Sequence, residues 1–207
     1  SSYSNNGTLV GNVSINSTGK FGNASWFDGD DDSIQIGNGN DFSDICGNGC
    51  SFSAWVYRRN SGVTSSVIGR YDENSDDRFF LFYIGASNKE SLIISENGNS
   101  SICSVQGSDM LNTNTWYNIV GVYNATSTLI YRDAVEKATT ICSFSSINTT
   151  AWQDSESTSI GIYDDGDLLG DFNGAIDDVL IFNRTLTAGE ISSLYNASTT
   201  QYSRNFT

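Results

Sequence analysis

The sequence predicts an all-β domain, a sandwich or jelly roll built from short strands. Apolar and polar side chains alternate in many short runs, and Ser51–Arg58 carries apolar groups on both faces, as a strand inside a sandwich does. Turn-forming residues such as Asn97-Gly98 and Asp165-Gly166 separate the runs. Over most of the chain no helical periodicity interrupts this pattern, which is typical of an antiparallel all-β fold.

The predicted strands begin after a polar, turn-rich segment over residues 1–25. They are Ser33–Gly37, Ser51–Arg58, Ser66–Tyr71, Arg78–Gly85, Ser91–Ser95, Ser101–Val105, Trp116–Tyr123, Ser127–Arg132, Thr158–Tyr163 and Phe172–Phe182. A single helix is predicted after them, because Thr187 and Glu190 form a capping box and apolar residues then recur on one face as far as Tyr195. This helix is expected to end near Asn196.

The domain organisation predicted from the sequence is a single unit. The 207 residues contain no internal repeat and no linker, and a hydrophobic share of 38% is enough to fill one two-layer core. We therefore expect one domain over residues 1–207. The segment over residues 1–25 and a polar tail over residues 198–207 are the parts expected to dock on a partner.

Charge restricts the partners of this chain. It has 24 acidic and 10 basic residues, which gives a net charge of −14. A field of that sign repels phosphate backbones and anionic membrane surfaces, so we expect no nucleic-acid partner. No apolar run is long enough to span a bilayer, so we expect no membrane insertion.

Four cysteines and no histidine favour disulfides over a zinc site. Several connectivities remain open, and the favoured one pairs Cys46 with Cys50 and Cys103 with Cys142. The first bond would close a small loop, and the second would tie two later strands together. Disulfides indicate an oxidising compartment, so the expected location is extracellular or at a cell surface.

Asparagine sequons give a second indication of secretion. There are ten Asn-x-Ser/Thr sequons, and each suits an exposed turn that carries an N-linked glycan. The alternative is that a composition rich in Ser, Thr and Asn produces some of them by chance. The candidate N-glycosylation sites are Asn6, Asn12, Asn16, Asn23, Asn99, Asn124, Asn148, Asn183, Asn196 and Asn205.

Several segments, taken in order, resemble the laminin-G-like domains of the concanavalin A-like lectin/glucanase superfamily. The resemblance covers about residues 5–197 and rests on the order and spacing of the motifs. They are Asn6-Gly-Thr-Leu-Val-Gly11, Gly19-Lys-Phe-Gly-Asn23, Trp26-Phe-Asp-Gly-Asp30, Phe52-Ser-Ala-Trp-Val56, Trp116-Tyr-Asn-Ile-Val120, Leu129-Ile-Tyr131-Arg-Asp133 and the closing segment Gly174–Leu186 followed by the helix.

This resemblance implies a two-sheet antiparallel jelly-roll sandwich with one short C-terminal helix. It also implies that the first strand after Trp26 lies beside the closing strand around Asp177. Members of the family are usually extracellular modules that bind glycans or proteins, and many of them hold a calcium ion. They also occur in secreted enzymes and surface adhesins.

Catalytic patterns are absent from the sequence. Without histidine there is no Ser-His or Cys-His unit, and the six glutamates never form the Glu-x-Asp-x-Glu pattern of the related glycan hydrolases. We therefore expect a protein that is not an enzyme.

Aspartates are the candidate metal ligands. Calcium prefers carboxylate and carbonyl oxygens gathered from loops. If the first and last strands are neighbours, Asp28 or Asp31 would share a calcium ion with Asp177. In the alternative, Asp28 and Asp177 accept hydrogen bonds from turn amides and the remaining aspartates face water.

Aromatic residues are the candidate sugar contacts. Tyr163, Asp164 and Asp165 form an acidic loop that could be a ligand-binding rim, although loop tyrosines are more often packing or surface residues. The tryptophans are interpreted as core or inner-sheet residues at positions 26, 55 and 116, whereas Trp152 is expected to be exposed.

Two functions fit these observations. The first is a secreted or cell-surface module for adhesion that binds a glycan or an extracellular protein, with calcium support. The alternative is a self-assembling, glycosylated subunit of an extracellular filament or surface layer. In that alternative, residues 1–25 or the tail over residues 198–207 would pack on a neighbouring copy by strand addition.

Overall fold

The computed structural model describes residues 7–37, 42, 45–72, 77–98, 102–144, 147, 157–163 and 170–204. Within them the strands are β1 (Thr8–Val10), β2 (Ser14–Asn16), β3 (Ala24–Asp28), β4 (Ser33–Ile36), β5 (Cys50–Arg58), β6 (Ser65–Asp72), β7 (Asp77–Ile84), β8 (Glu90–Gly98), β9 (Ile102–Gln106), β10 (Trp116–Tyr123), β11 (Ser127–Arg132), β12 (Val135–Ile141), β13 (Thr158–Ile160) and β14 (Asn173–Phe182). The helix α1 follows them and spans Ala188–Arg204.

These strands form two seven-stranded sheets. Sheet A has the order β1-β4-β13-β6-β7-β8-β9, and sheet B has the order β12-β11-β10-β5-β14-β3-β2. Every neighbouring pair is antiparallel. The predicted two-sheet jelly-roll sandwich with a C-terminal helix is confirmed.

The core lies between the sheets and is rich in phenylalanine. Phe52 of sheet B stacks on Phe80 of sheet A with 4.5 Å between ring centroids. Gly121 is the partner of Phe52 in sheet B and faces Phe82 and Leu92 of sheet A. A Cβ atom at Gly121 would lie 3.2 Å from both side chains, so glycine there leaves room for them. Each fully buried side chain of this kind contributes about 1.5–3 kcal/mol to folding.

The helix covers part of the outer face of sheet B. Ile191 is fully buried against Val120 and Val122, and Tyr195 stacks on Trp55 with centroids 5.7 Å apart. Within the described residues, no helix is both long and apolar enough to cross a membrane.

The helix is longer than predicted. It was expected to end near Asn196, but it continues to Arg204, so residues 198–204 are helical and the expectation of a polar tail there is wrong. The polar residues of this segment satisfy the backbone instead of breaking the helix. Thr199 and Thr200 donate hydrogen bonds to the carbonyls of Tyr195 and Asn196, one turn earlier.

Strand boundaries differ from the predictions at a few places. The predicted strand Thr158–Tyr163 ends at Ile160, because Gly161 has a φ of 91° and lies so close to the Phe27 ring that a Cβ there would be 2.4 Å from a ring carbon. β1, β2, β3 and β12 were not predicted as strands. The side chains of β1, β2 and β12 are mostly exposed, so the sequence shows no clear apolar alternation there.

The structure contains both expected disulfides, Cys46–Cys50 and Cys103–Cys142. Cys103 lies on β9, the last strand of sheet A, and Cys142 follows β12, the last strand of sheet B. The second disulfide therefore joins the two sheets along one side of the sandwich. On the opposite side the sheets end in β1 and β2.

Candidate functional site

Five chain connections meet at one end of the sandwich and enclose a cavity of about 480 Å³. We call it the rim cavity. The connections are the β3–β4 turn, the β5–β6 loop, the β7–β8 hairpin, the segment after β13 and the segment before β14. The lining residues are Gly29, Asn60, Gly62, Val63, Thr64, Ala86, Tyr163 and Asp171.

Arg58 fixes two of these connections. It is the last residue of β5, it is only 4% exposed, and it points inward because Phe52, Ala54 and Val56 share its face. Its guanidinium donates hydrogen bonds to Asn60 Oδ1, to the Val63 carbonyl and to Asn88 Oδ1.

The same Asn88 oxygen also accepts the Gly62 amide at 3.0 Å, which joins the β5–β6 loop to the β7–β8 hairpin. In the described part of the chain no carboxylate pairs with Arg58. Burial lowers the pKa of Arg58 from 12.5 to about 10, and the side chain remains charged at neutral pH.

Asp171 supplies the carboxylate of the rim cavity. Burial raises its pKa from 3.8 to about 6, and repulsion from Asp31 and Asp30 adds to the increase. The Asp31 amide donates a hydrogen bond to this carboxylate and partly offsets the increase. Asp171 Oδ1 is buried without a hydrogen-bond partner.

Tyr163 supplies the aromatic wall. Its ring packs edge-on against Tyr71 with centroids 6.2 Å apart. Gly170 lies directly against this ring, where a Cβ would be 2.2 Å from a ring carbon. The ring is half-buried, so part of it faces the cavity.

The arrangement suits binding of a polar ligand that has apolar faces. An aromatic ring, a carboxylate residue and an amide side chain line a cavity of the size that small-molecule ligands occupy. Among the lining residues that the structure describes, Asp171 alone carries a carboxylate. The paired carboxylates of glycoside hydrolysis are therefore not found among them.

The three predicted metal ligands do not lie around one point. Asn173 is the partner of Asp28 in the sheet, and Asp177 lies four residues further along β14, about 13 Å away. Asp177 accepts the Phe21 amide at 3.1 Å, and Asp28 accepts the Asp30 amide at 2.9 Å. These are the turn hydrogen bonds of the alternative interpretation.

Asp31 lies in the turn after β3, with a φ of 58°. Across residues 7–37, 42, 45–72, 77–98, 102–144, 147, 157–163 and 170–204, no three potential ligands are grouped to hold a metal ion. The three aspartates thus do not fit one shared ion. That the protein binds calcium at another place stays a prediction. Thermal unfolding measured with calcium and with chelator tests it.

Of the predicted ligand-binding residues, Tyr163 lies at the rim cavity, while Asp164, Asp165 and also Trp152 lie outside the described residues. Asp171 and Arg58 were not predicted as site residues. A charged residue at an inward position of a buried strand was the available signal for Arg58.

Arg58 gives the first prediction. Arg58→Met removes three hydrogen bonds but also removes a buried charge, so we expect little change in global stability. We expect the loop to loosen locally, so that hydrogen exchange of the Gly62 amide accelerates about tenfold or more. Arg184→Met, which changes an exposed arginine, is the matched control. An unchanged hydrogen-exchange rate of the Gly62 amide in Arg58→Met would contradict the role of Arg58 in fixing this loop.

Asp171 gives the second prediction. Its pKa is higher in the folded than in the unfolded protein, so the ionised carboxylate destabilises the fold above about pH 6, and this effect fades as the pH falls towards 4. Asp171→Asn should stabilise the protein by on the order of 1 kcal/mol at pH 7.5 after solvent screening, or about 2–4 °C in Tm, and much less at pH 4.

Thermal unfolding in EDTA at both pH values measures this effect. Asp109→Asn is the control, because the pKa of Asp109 is lowered, chiefly by its hydrogen bond with Lys137, so this substitution should not stabilise the protein. Equal stabilisation by Asp171→Asn at both pH values would refute the assigned burial effect.

Solved structures share this fold. Domain 4 of AbnA, an extracellular GH43 arabinanase from Geobacillus stearothermophilus whose structure contains arabinotriose, has a TM-score of 0.67 at 20% identity and covers 91% of this chain and 87% of its own. The receptor-binding domain of a botulinum neurotoxin C/D mosaic serotype has a TM-score of 0.66 at 19% identity and covers 94% of this chain.

The binding domain of Paraclostridial Mosquitocidal Protein 1 has a TM-score of 0.69 at 13% identity and covers 93% of this chain. This chain spans 47% of each of the two toxin domains, about half their length. At these identities the similarity shows a shared fold.

No curated protein sequence matches this chain. The family described as the concanavalin A-like lectin/glucanases superfamily, in its laminin G form, matches residues 28–192. That match covers most of the chain, and the two antiparallel seven-stranded sheets agree with it. The chain therefore belongs to the concanavalin A-like lectin/glucanases superfamily.

Proposed function

We propose that this chain is a non-catalytic, extracellular module that binds glycans at the rim cavity and serves adhesion at a cell surface. The observation that carries the proposal is that the Tyr163 ring and the Asp171 carboxylate line the same cavity. Sugars present apolar C–H faces and hydroxyl donors, which an aromatic ring and a carboxylate oxygen recognise respectively. The arabinotriose complex of the AbnA domain supports this ligand class.

Charge favours neutral glycans as ligands. The net charge of −14 and the carboxylate in the cavity both oppose the entry of sulfated or phosphorylated sugars. A neutral sugar meets no such repulsion, and its hydroxyl groups can form hydrogen bonds with the Asp171 carboxylate and the Asn60 side chain in place of those with water.

A substitution of Tyr163 tests the proposal. Tyr163→Ala should weaken binding of neutral oligosaccharides, measured by calorimetry against an arabinan, xylan and β-glucan panel, by about tenfold, the cost of one stacked ring. Gly170→Ala is the companion variant, because its methyl group displaces the Tyr163 ring while keeping it present. Wild-type affinity in both variants would exclude the rim cavity as the site.

We also propose that the protein carries N-linked glycans and is secreted. The support is that all six sequon asparagines within the described residues are exposed, namely Asn12, Asn16, Asn23, Asn124, Asn183 and Asn196. Asn6, Asn99, Asn148 and Asn205 lie outside those residues. No lining residue of the rim cavity belongs to a sequon, so glycans would leave it open.

Two sequons also have a favourable local geometry. The hydroxyl of Thr18 donates to Asn16 Oδ1 at 2.6 Å, and that of Thr126 donates to Asn124 Oδ1 at 3.0 Å. Both asparagines therefore lie in tight polar turns at the surface. Mass spectrometry of peptides from the native protein, before and after enzymatic glycan release, tests occupancy.

Self-assembly is the second candidate function. The open side of the sandwich ends in β1 and β2, where Leu9 is 50% and Ile15 is 52% exposed. The opposite side ends in β9 and β12, where Ile102 is 39% and Ile141 is 82% exposed. Stacking one copy's open side on another copy's disulfide-bonded side would extend both sheets at once, and such a head-to-tail contact builds filaments.

This candidate predicts a specific mutational result. Ile15→Lys and Ile141→Lys should each abolish assembly, because a charge on either edge blocks strand pairing. Electron microscopy and light scattering of the native protein measure assembly. A wild-type protein that stays monomeric at high concentration would eliminate this function and leave the recognition module.

A further inference from the structure

Three aromatic side chains form a row across the outer face of sheet B. Trp26 of β3 and Tyr57 of β5 are both paired in register with Ala175 of β14, and Trp116 of β10 is paired with Tyr57. The ring centroids of Trp26 and Tyr57 are 5.9 Å apart, and those of Tyr57 and Trp116 are 5.5 Å apart. We call these three residues the aromatic row.

Strand alternation shows which way the row faces. Phe27 and Val56, the chain neighbours of Trp26 and Tyr57, are each 1% exposed and belong to the core. Successive side chains in a strand point to opposite faces, so the row points away from the core. Its three members are nevertheless only half-buried.

The helix packs on Trp55, the outward-facing residue next to this row. Trp55, two residues before Tyr57 on the same face, is 3% exposed beneath Tyr195, Phe21 and Lys20. The ring contacts of Tyr57 and Trp116, in the part of the chain that the structure describes, are made within the row. The row is therefore a partly exposed strip beside a buried position of the same face.

The exposed surface of the row is chiefly ring carbon. Trp26 is half-buried and its Nε1 is buried without a hydrogen-bond partner, so its indole carbons are the part that meets solvent. Ala175, which faces outward between Trp26 and Tyr57, is fully buried. The ring planes are tilted by 55° between Trp26 and Tyr57 and by 46° between Tyr57 and Trp116, so the strip is apolar and stepped.

Polar groups border the strip on one side. Each polar residue is two positions from a member of the strip on its own strand and therefore lies on the same face. Asp28 follows Trp26, Asn173 precedes Ala175, and Arg59 follows Tyr57. Asp28 and Arg59 are exposed, and Asn173 Nδ2 donates to the Asp28 carbonyl at 2.6 Å. This border offers both acceptors and donors to a ligand lying on the rings.

We propose that the aromatic row is a second glycan-binding surface, on which consecutive rings of a neutral, linear oligosaccharide stack while their hydroxyls bond to Asp28 and Arg59. The inference rests on the proposed glycan-binding function and adds an extended site to it. The spacing of the rings is comparable to one sugar unit. The acidic protein surface favours a neutral chain over a sulfated one.

The row also continues into the rim cavity. Gly29, which follows Asp28, lines that cavity and lies against Asn173, where a Cβ would be 2.8 Å from its amide nitrogen. A bound chain can therefore cross from the row over the polar border to the cavity. The linear form of the ligand follows from this continuity.

Nuclear magnetic resonance separates the two sites in one titration. Arabinopentaose, xylopentaose and laminaripentaose are the neutral probes, and a heparin hexasaccharide is the anionic one. We expect a neutral probe to shift the indole N–H signals of Trp26 and Trp116, while the buried Trp55 signal stays fixed. Amides of Gly29 and Gly62 report on the rim cavity.

Variants complete the test. Trp116→Ala should lower affinity for the neutral probe about tenfold, and Trp116→Tyr, which keeps a ring, should restore most of it. Tyr83→Ala is the matched control: this half-buried tyrosine lies on the outer face of sheet A, where Ser66 and Ser91 are its partners in register. It should bind as wild type does.

The pattern of shifted signals shows which of the two proposed binding sites is wrong. Shifts at Gly29 and Gly62 alone would leave the proposed function standing and overturn the aromatic row as a site. Shifts at the two indoles alone would support the row and overturn the rim cavity. Preference for the heparin probe would overturn the neutral ligand class, and no shift with any neutral probe would overturn both sites.

Discussion

The end of the sandwich that carries both candidate surfaces depends on one buried cation. The guanidinium of Arg58 carries several N–H donors, and donors left without acceptors in a buried site cost free energy. The oxygens of Asn60, Val63 and Asn88 satisfy them. Because these three acceptors come from two different loops, one side chain fixes both loops against β5. The cavity wall is therefore shaped before a ligand arrives, which lowers the entropic cost of binding.

Strand β5 contributes residues both to the folded core and to the two proposed binding surfaces. Its inward residues fill the core, Trp55 supports the helix, Tyr57 forms the middle of the aromatic row and Arg58 holds the loops. Each of these roles follows from one alternation of side chains along one central strand. Substitutions on this strand therefore affect folding as well as binding, which is why Trp116 and Tyr163, at the margins, are better probes of recognition.

The fold was predictable because alternation is a local property. The strands Trp116–Tyr123 and Ser127–Arg132 have the predicted bounds, since both are mostly buried runs rich in apolar residues. Alternation does not show what covers the outer face of a sheet. Trp26 and Trp116 were interpreted as core or inner-sheet residues, which is wrong: both lie on the outer face and are partly exposed.

The site was less predictable than the fold. Tyr163 was recognised as an aromatic residue in an acidic loop, but Asp171 becomes a site residue only where connections far apart in sequence converge. The three predicted metal ligands are not grouped within the described residues, for a similar reason. The first strand predicted after Trp26, Ser33–Gly37, was expected beside the closing strand, which is wrong: it lies in sheet A. β3, which contains Trp26, pairs with β14 instead, in a register that places Asn173 opposite Asp28 and moves Asp177 away. Register depends on long-range packing that single motifs do not record.

The central claim is that this end of the sandwich binds neutral glycans. A crystal structure of the domain grown with a neutral pentasaccharide tests it most directly. The account predicts sugar density against the Tyr163 ring with a hydroxyl within hydrogen-bond distance of Asp171. Sugar density confined to another part of the surface, with the cavity filled only by water, would contradict the account.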